Sequence, residues 1–321
     1  MSAQKETRVL AYGPEAIAEA ARLIRAGAVV AMPTETVYGL AADATNAGAV
    51  ERIYAAKGRP DFNPLIVHVP GLAEAERIGA FDEAARRLAK AFWPGPLTLV
   101  VPLREGSGIA SRVTAGLGTI ALRAPAHAAM RALLAAAERP LAAPSANASG
   151  GISPTAAEHV AKSLGGRIPL IVDGGASERG IESTIVRVDA EGVRVLRPGP
   201  IAEEELRAAA RLTHPQPLPC REGRIEAPGM MASHYAPSKP VRLNATEAAA
   251  DEWLIGFGPV GGDDSLSASG DLAEAAAKLF AALHRAEASA RPRIAVAPVP
   301  EARLGAAIND RLRRAAAPRG R

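Results

Sequence analysis

Several short runs in this sequence bring together side chains able to handle an anion. The first is Lys57-Gly58-Arg59-Pro60, with Asn63 just beyond it. Pro60 biases Arg59 away from the helical region, and in an extended segment residues 57 and 59 share a face, so two cations converge on one spot. With the Asn63 amide they form a credible anion clamp. The same residues also fit a solvated helix end that complements the helix dipole, and spacing alone does not decide. His68, inside the apolar run LIVHV, reads by itself as a core histidine. A second run, residues 33–40 (PTETVYGL), ends a strand in hydroxyls, a carboxylate and a phenol. That suits a polar ligand at a strand end, or an ST-turn capping the next element.

The third run, residues 144–155 (PSANASGGISPT), is a Gly-rich loop of small hydroxyl and amide side chains whose backbone N–H groups could cradle phosphates. Ser153 within it also reads as a plain N-cap. Arg123 closes the strand TIALR, where a guanidinium can grip a carboxylate or phosphate bidentately; a surface ion pair is the duller alternative. Ser183-Thr184 and Arg197-Pro198-Gly199 stand at strand boundaries, and His234-Tyr235-Ala236-Pro237 is oddly featured for a spacer. No P-loop and no dinucleotide-binding fingerprint is read from the chain, nor an HExxH or GxSxG signature. One cysteine, Cys220, rules out a disulfide framework and any CxxC site.

Alternating strand and helix signals position these runs. Helices are expected at Pro14–Ala26, Asn46 (as N-cap) to Ala56, Glu83–Phe92, Ala126–Ala137 and Pro154–Leu164. Strands are expected at Ala28–Met32, Leu65–Val69, Leu97–Leu103, Thr119–Arg123, Leu170–Asp173, Ser183–Val188 and Val193–Arg197. This predicts an α/β domain with a mixed sheet over residues 1–212. Residues 213–240 are proline-dense and aperiodic, a linker. Strand signals at Val241–Leu243, Trp253–Phe257 and Ile294–Val296, and helix signals at Leu272–Ala288 and Gly305–Ala316, predict a small second α/β domain over 241–321.

The chain has 321 residues, 48% hydrophobic and 22% charged, which excludes wholesale disorder and suits two domains. No apolar run approaches a membrane span and MSAQKETRVL lacks a signal-peptide core, so a cytoplasmic protein with no membrane contact is expected. The net charge of +4 is mild and rests on arginine, with only six lysines. Aromatics at 3% argue against a base-stacking RNA platform. Five arginines in the last eleven residues (Arg311, Arg313, Arg314, Arg319, Arg321) read as a solvated helix end and a frayed tail, or a weak tRNA contact.

In their order, PTETVYGLAADATN, KGRP with NPLIVHV, FWPGPLTLV, TIALRAP, PLAAPSANASGGISPT and ESTIV with RPG resemble the YrdC-like domain. PGMMASHYAP and the tail with AINDRLRRAA resemble the longer, two-domain form of L-threonylcarbamoyladenylate synthases. The resemblance covers about residues 10 to 316, and HPQPLPCREGR (214–224) has no counterpart in it. It implies a YrdC-like twisted mixed sheet joined by a Pro-rich linker to a small Rossmann-like domain. The implied enzyme is a nucleotidyltransferase that converts L-threonine, bicarbonate or CO2 and ATP to threonylcarbamoyl-AMP and pyrophosphate. That product serves t6A biosynthesis in tRNA, through separate threonylcarbamoyl transferase proteins. The resemblance places Lys57, Arg59, Asn63, Thr119, Ser145, Ser153, Arg197 and Tyr235 around ATP, with Lys57 and Arg59 as the catalytic cations. It places Thr36, His68, Arg123, Ala143 (through its backbone) and Ser183 around threonine. Mg2+ is expected on the ATP phosphates, with no protein metal site. His234-Tyr235 would close over the loaded pocket as a lid. The rival readings are a non-catalytic RNA-binding or ribosome-assembly protein, and a carbamoyl-transfer role that the single cysteine disfavours.

Overall fold

The computed structural model describes residues 6–189, 192–210, 227–229 and 233–318. The strands of the first domain are β1 (Arg8–Ala11), β2 (Val30–Met32), β3 (Gly39–Asp43), β4 (Ile66–His68), β5 (Leu97–Pro102), β6 (Thr119–Arg123), β7 (Leu141–Ala142), β8 (Leu170–Asp173), β9 (Thr184–Asp189) and β10 (Gly192–Arg197). Its helices are α1 (Pro14–Arg25), α2 (Ala47–Lys57), α3 (Leu72–Ile78), α4 (Glu83–Phe92), α5 (Ala128–Ala137), α6 (Ala157–Leu164) and α7 (Glu203–Ala210). The ten strands form one mixed sheet in the order β1-β8-β2-β3-β7-β4-β6-β5-β9-β10. Apolar layers cover both faces, so β2 and the first five residues of β5 are buried without alternation.

Two pairings matter for the site. β4 and β6 run parallel with His68 opposite Arg123, so both side chains emerge side by side at carboxyl strand ends. β5 and β9 run parallel with Leu97 opposite Thr184, which brings the Ser183 turn to the same rim. Local signals set the neighbouring helix: the Asn46 side chain accepts from Ala49 N at 3.1 Å, and α2 ends at Gly58 in the left-handed region.

The second domain is a four-stranded, all-parallel sheet ordered β11-β14-β12-β13: β11 (Val241–Arg242), β12 (Glu252–Gly256), β13 (Asp264–Ser265) and β14 (Arg293–Val296). Helices α8 (Leu272–Ala288) and α9 (Leu304–Ala316) pack together, with Leu279, Phe280, Leu283, Ile308 and Leu312 in the shared core. That core continues across the domain boundary to Val37, Ile152 and Ile181 of the first domain. Contact there is close. Gly180 holds φ +67°, and a Cβ on it would stand 2.3 Å from the Ala276 carbonyl oxygen of α8.

Several expectations need correction. Residues 256–261, GFGPVG, do carry GxGxxG spacing directly after β12. They form a tight turn, with Phe257 N donating to Val260 O at 3.0 Å, and lead toward β13 without opening a helix. With no helix N-terminus behind the glycines, this is not a dinucleotide fingerprint. The helix expected from Pro154 begins at Ala157, so Ser153 is no N-cap. Lys57 is the last residue of α2 and not part of an extended segment. Of the 213–240 linker, residues 213–226 (with Cys220) and 230–232 lie outside the described residues, as do Arg319 and Arg321. Its described end is tied down, with His234 N donating to Arg314 O and Ala236 N to Gly150 O.

Candidate active site

One pocket gathers the ends of these elements. Thr34, Thr36, Val37 and Gly39 line it from the turn between β2 and β3, and Ile66 and His68 from β4. Arg123, Ala143, Pro144 and Ser145 follow, then Glu182, Ser183 and Arg197, and finally His234 and Tyr235 of the linker. The five residues that the resemblance places around threonine (Thr36, His68, Arg123, Ala143, Ser183) all lie on this lining. Of those placed around ATP, Arg59, Ser145, Arg197 and Tyr235 line it. Lys57, Asn63 and Ser153 stand one contact behind: Lys57 Nζ donates to Ser145 O (2.6 Å) and Asn147 O (2.5 Å), Arg59 Nε donates to Asn63 O (3.1 Å), and Ser153 Oγ donates to Glu182 Oε1. Thr119 is not brought in. It opens β6 opposite Pro102, about 13 Å along the strand from Arg123, although on the same face.

The turn at residues 33–37 serves both readings offered by its sequence. Thr34 Oγ1 accepts from Thr36 N (3.2 Å) and Val37 N (3.3 Å), a true ST-turn, while the same residues face the pocket. Arg123 does grip a carboxylate, that of Glu35: Nη2 donates to Glu35 Oε1 at 2.5 Å, with both side chains 5% exposed. Nη1 donates to Thr36 Oγ1 (3.0 Å), and the second Glu35 oxygen accepts from Ala126 N (3.1 Å). The surface ion pair expected as the alternative is thus a buried one. Arg197 donates to the Ser183 carbonyl and hydroxyl oxygens at 2.9 and 3.1 Å.

Buried charge is the dominant physical feature. Lys57, Arg59, Arg123, Arg197 and Arg311 are all under 9% exposed, and the buried carboxylates facing them are Glu35 and Glu182. Buried cations in excess of their partners are costly, and an anionic ligand removes that cost. The titrations follow. Burial, with Arg59 adding to it, holds Lys57 well below the ordinary lysine value. Burial would raise Glu35 and Glu182, but Arg123 for the first, and Arg311 and Arg197 for the second, hold both below the ordinary carboxylate value. Burial chiefly, with Arg123 nearby, brings His68 down to about 3, so its ring is neutral, and neither ring nitrogen has a hydrogen-bond partner among the described residues. A neutral, uncommitted imidazole beside Arg123 can donate to or accept from a ligand.

Sequence reasoning missed three contributors. Glu35 was visible in PTETVYGL, Glu182 in ESTIV and Arg311 in AINDRLRR, but only pairing across the fold gives them roles. Arg311 overturns the solvated helix end: it is fully buried and donates to Glu182 Oε2 at 2.9 Å. Arg313 does fit that expectation, 58% exposed and paired with Glu301.

A mixed α/β sheet whose strand ends and linker enclose a cation-rich pocket, backed by a small parallel α/β domain, defines a class: two-domain proteins with a YrdC-like sheet. Residues 22–199 match the Sua5_yciO_yrdC family, described as telomere recombination, and residues 201–317 match the threonylcarbamoyl-AMP synthase C-terminal domain. The chain belongs to the threonylcarbamoyl-AMP synthase family. The Bacillus subtilis threonylcarbamoyl-AMP synthase is 48% identical over 229 residues, 71% of this chain and 66% of that protein's length. The Pyrococcus abyssi enzyme of the same name is 40% identical over 317 residues, 92% of each. Among solved structures, P. abyssi Sua5 complexed with L-threonine superimposes with a TM-score of 0.88 at 38% identity, over 97% of this chain and 98% of that one. Escherichia coli YciO (TM-score 0.53, 22% identity, 60% of this chain and 96% of that one) shares the fold of the first domain.

Proposed function

We infer that this chain is a threonylcarbamoyl-AMP synthase, a nucleotidyltransferase acting on L-threonine, bicarbonate or CO2, and ATP. The threonine amine adds to CO2 and loses a proton, giving a carbamate. One carbamate oxygen attacks the α-phosphorus of ATP, the bond from that phosphorus to the bridging oxygen breaks, and pyrophosphate leaves with the electron pair. The product is threonylcarbamoyl-AMP, handed to threonylcarbamoyl transferase proteins for t6A synthesis on tRNA in the cytoplasm. No helix among the described residues is long and apolar enough to cross a membrane.

The observation that carries this reading is the buried excess of cations around one pocket, next to a neutral histidine with unpartnered nitrogens. Phosphoryl transfer of this kind depends on positioning and on stabilising charge that spreads over phosphate oxygens. Arg59 and Arg197, with Lys57 behind Ser145, are suited to the triphosphate. Arg123, Thr36, His68, Ser183 and the Ala143 backbone suit an amino acid with a carboxylate and a hydroxyl. Mg2+ would arrive on the ATP phosphates as part of the substrate. Among the described residues no group of three or more His, Cys, Asp or Glu side chains is placed to hold a metal ion.

The test is pyrophosphate release by the purified protein with ATP, magnesium, L-threonine and bicarbonate, omitting each in turn, with mass spectrometry for the adduct. Release and adduct that require both threonine and bicarbonate are expected. Release without threonine, or no adduct from folded protein, refutes the assignment.

A further inference from the structure

The second domain has no assigned part in this chemistry, yet its last helix sends a guanidinium into the pocket wall. Arg311 of α9 is fully buried. Its Nε donates to Glu182 Oε2 at 2.9 Å, and its Nη1 to Pro198 O at 2.9 Å and to Asp310 Oδ2 at 2.8 Å. Its guanidinium carbon lies 5.3 Å from the centre of the Tyr235 ring. Apart from Asp310, its own neighbour on α9, these partners line the wall or adjoin it. Glu182 and Tyr235 line the pocket, Pro198 begins the turn that follows Arg197, and the other Glu182 oxygen accepts from the Ser153 hydroxyl. One group therefore ties together three first-domain segments and the linker.

Docking two domains does not require such a residue. A buried ion pair is often no more stabilising than apolar side chains of the same volume, because both charges must leave water. Moreover, Nη2 of Arg311 has no hydrogen-bond partner among the described residues, a cost that an apolar contact would avoid. What arginine adds is direction: a planar fork fixes the Glu182 carboxylate and the Pro198 carbonyl at set angles, and offers Tyr235 a cationic face.

We propose that Arg311 is a positioning residue for adenylate formation, through which the second domain sets Glu182, Tyr235 and the Arg197–Pro198 turn around the nucleotide. This rests on the synthase reading above. Arg311 acts through these neighbours and not by touching substrate.

The test uses the full chain and measures pyrophosphate release as a function of ATP and of threonine separately, beside the melting temperature. Arg311→Met is expected to lower kcat/KM for ATP by about 10- to 100-fold, the cost of a displacement near 1 Å, and to leave KM for threonine unchanged. Its pH profile supplies a second readout. Glu182 faces Arg311 and Asp310 from α9, Arg197 from β10, and Ser153 and Tyr235 from the loops. With Arg197 left as its cationic partner, the acid limb of kcat/KM for ATP moves to higher pH. Arg311→Lys restores the charge without the fork, so it is expected to return the acid limb but not the rate. Should Arg311→Met fail to fold, the pair Glu182→Gln with Arg311→Met removes both charges together and is expected to fold while keeping the ATP defect. A folded Arg311→Met, or folded double variant, with wild-type kcat/KM for ATP overturns the proposal; so do equal losses toward ATP and threonine with an unmoved acid limb. A wild-type protein that makes no threonylcarbamoyl-AMP refutes the synthase reading itself, a separate result.

Discussion

Glu35→Gln is the most informative single change in the first domain. Its carboxylate holds Arg123 at 2.5 Å with both side chains 5% exposed, so the variant leaves a buried guanidinium without its counter-charge. Removing one partner of a buried pair costs about 3–5 kcal/mol. Gln keeps the shape and can still accept from Ala126 N, as the Glu35 oxygen does at 3.1 Å, which argues for the lower end. For a domain of this size each kcal/mol moves Tm by about 2–4 °C, so a loss of roughly 6–12 °C is expected. The distinctive part is rescue. If Arg123 is the carboxylate grip for threonine, the amino acid returns the missing negative charge, and threonine should raise Tm more in the variant than in the wild type. Thermal unfolding with and without saturating L-threonine measures both quantities. A variant within about 2 °C of wild type refutes the energetic reasoning; equal threonine shifts in the two proteins refute the role of Arg123.

Three further outcomes are expected. Lys57, pushed down by burial and by Arg59, should be shifted back up when the triphosphate arrives; titration calorimetry of ATP in two buffers of different ionisation enthalpy over a series of pH values reads this as proton uptake, and identical enthalpies at every pH would contradict it. Arg59→Ala should slow pyrophosphate release by about 100- to 1,000-fold, near 3 kcal/mol, as for loss of one preorganised donor; release within twofold of wild type would count against the anion clamp. Glu35 and Glu182 lie below the reference of 4.5 in the folded protein. Their contribution to stability is therefore complete above pH 4.5 and declines as pH falls below it toward the folded values, because the unfolded chain binds protons first. Urea midpoints at pH 7 and pH 4 check the direction, and a midpoint that rises on acidification would reverse it.

Local chemistry made much of the fold legible. Asn46 capped a helix where a cap residue preceded the periodic run, Glu83–Phe92 ended ahead of a proline, and Thr119–Arg123 stood out as a β-branched and apolar run. Strand β3 did not: Gly39-Leu40-Ala41-Ala42-Asp43 lacks β-branched residues and is a strand because β2 and β7 flank it. Strand β7, two residues long, carries no periodicity at all. The site divides the same way. Cations and hydroxyls beside turns were visible as motifs, and the pocket collects most of them. Their pairings were not visible, because Glu35 with Arg123 and Glu182 with Arg311 are separated by 88 and 129 residues. Thr119, taken from the motif order, sits too far along its strand to join the lining.

That separation of 129 residues has a meaning in time. A ribosome adding about 5–20 residues per second needs on the order of 10 s to travel from Glu182 to Arg311. Strands β9 and β10 are made early in that interval, and for the rest of it every strand of the ten-stranded sheet exists while the wall around Glu182 still lacks Arg311 and the linker lacks the helix that holds His234. A growing chain therefore has its scaffold well before its pocket is complete.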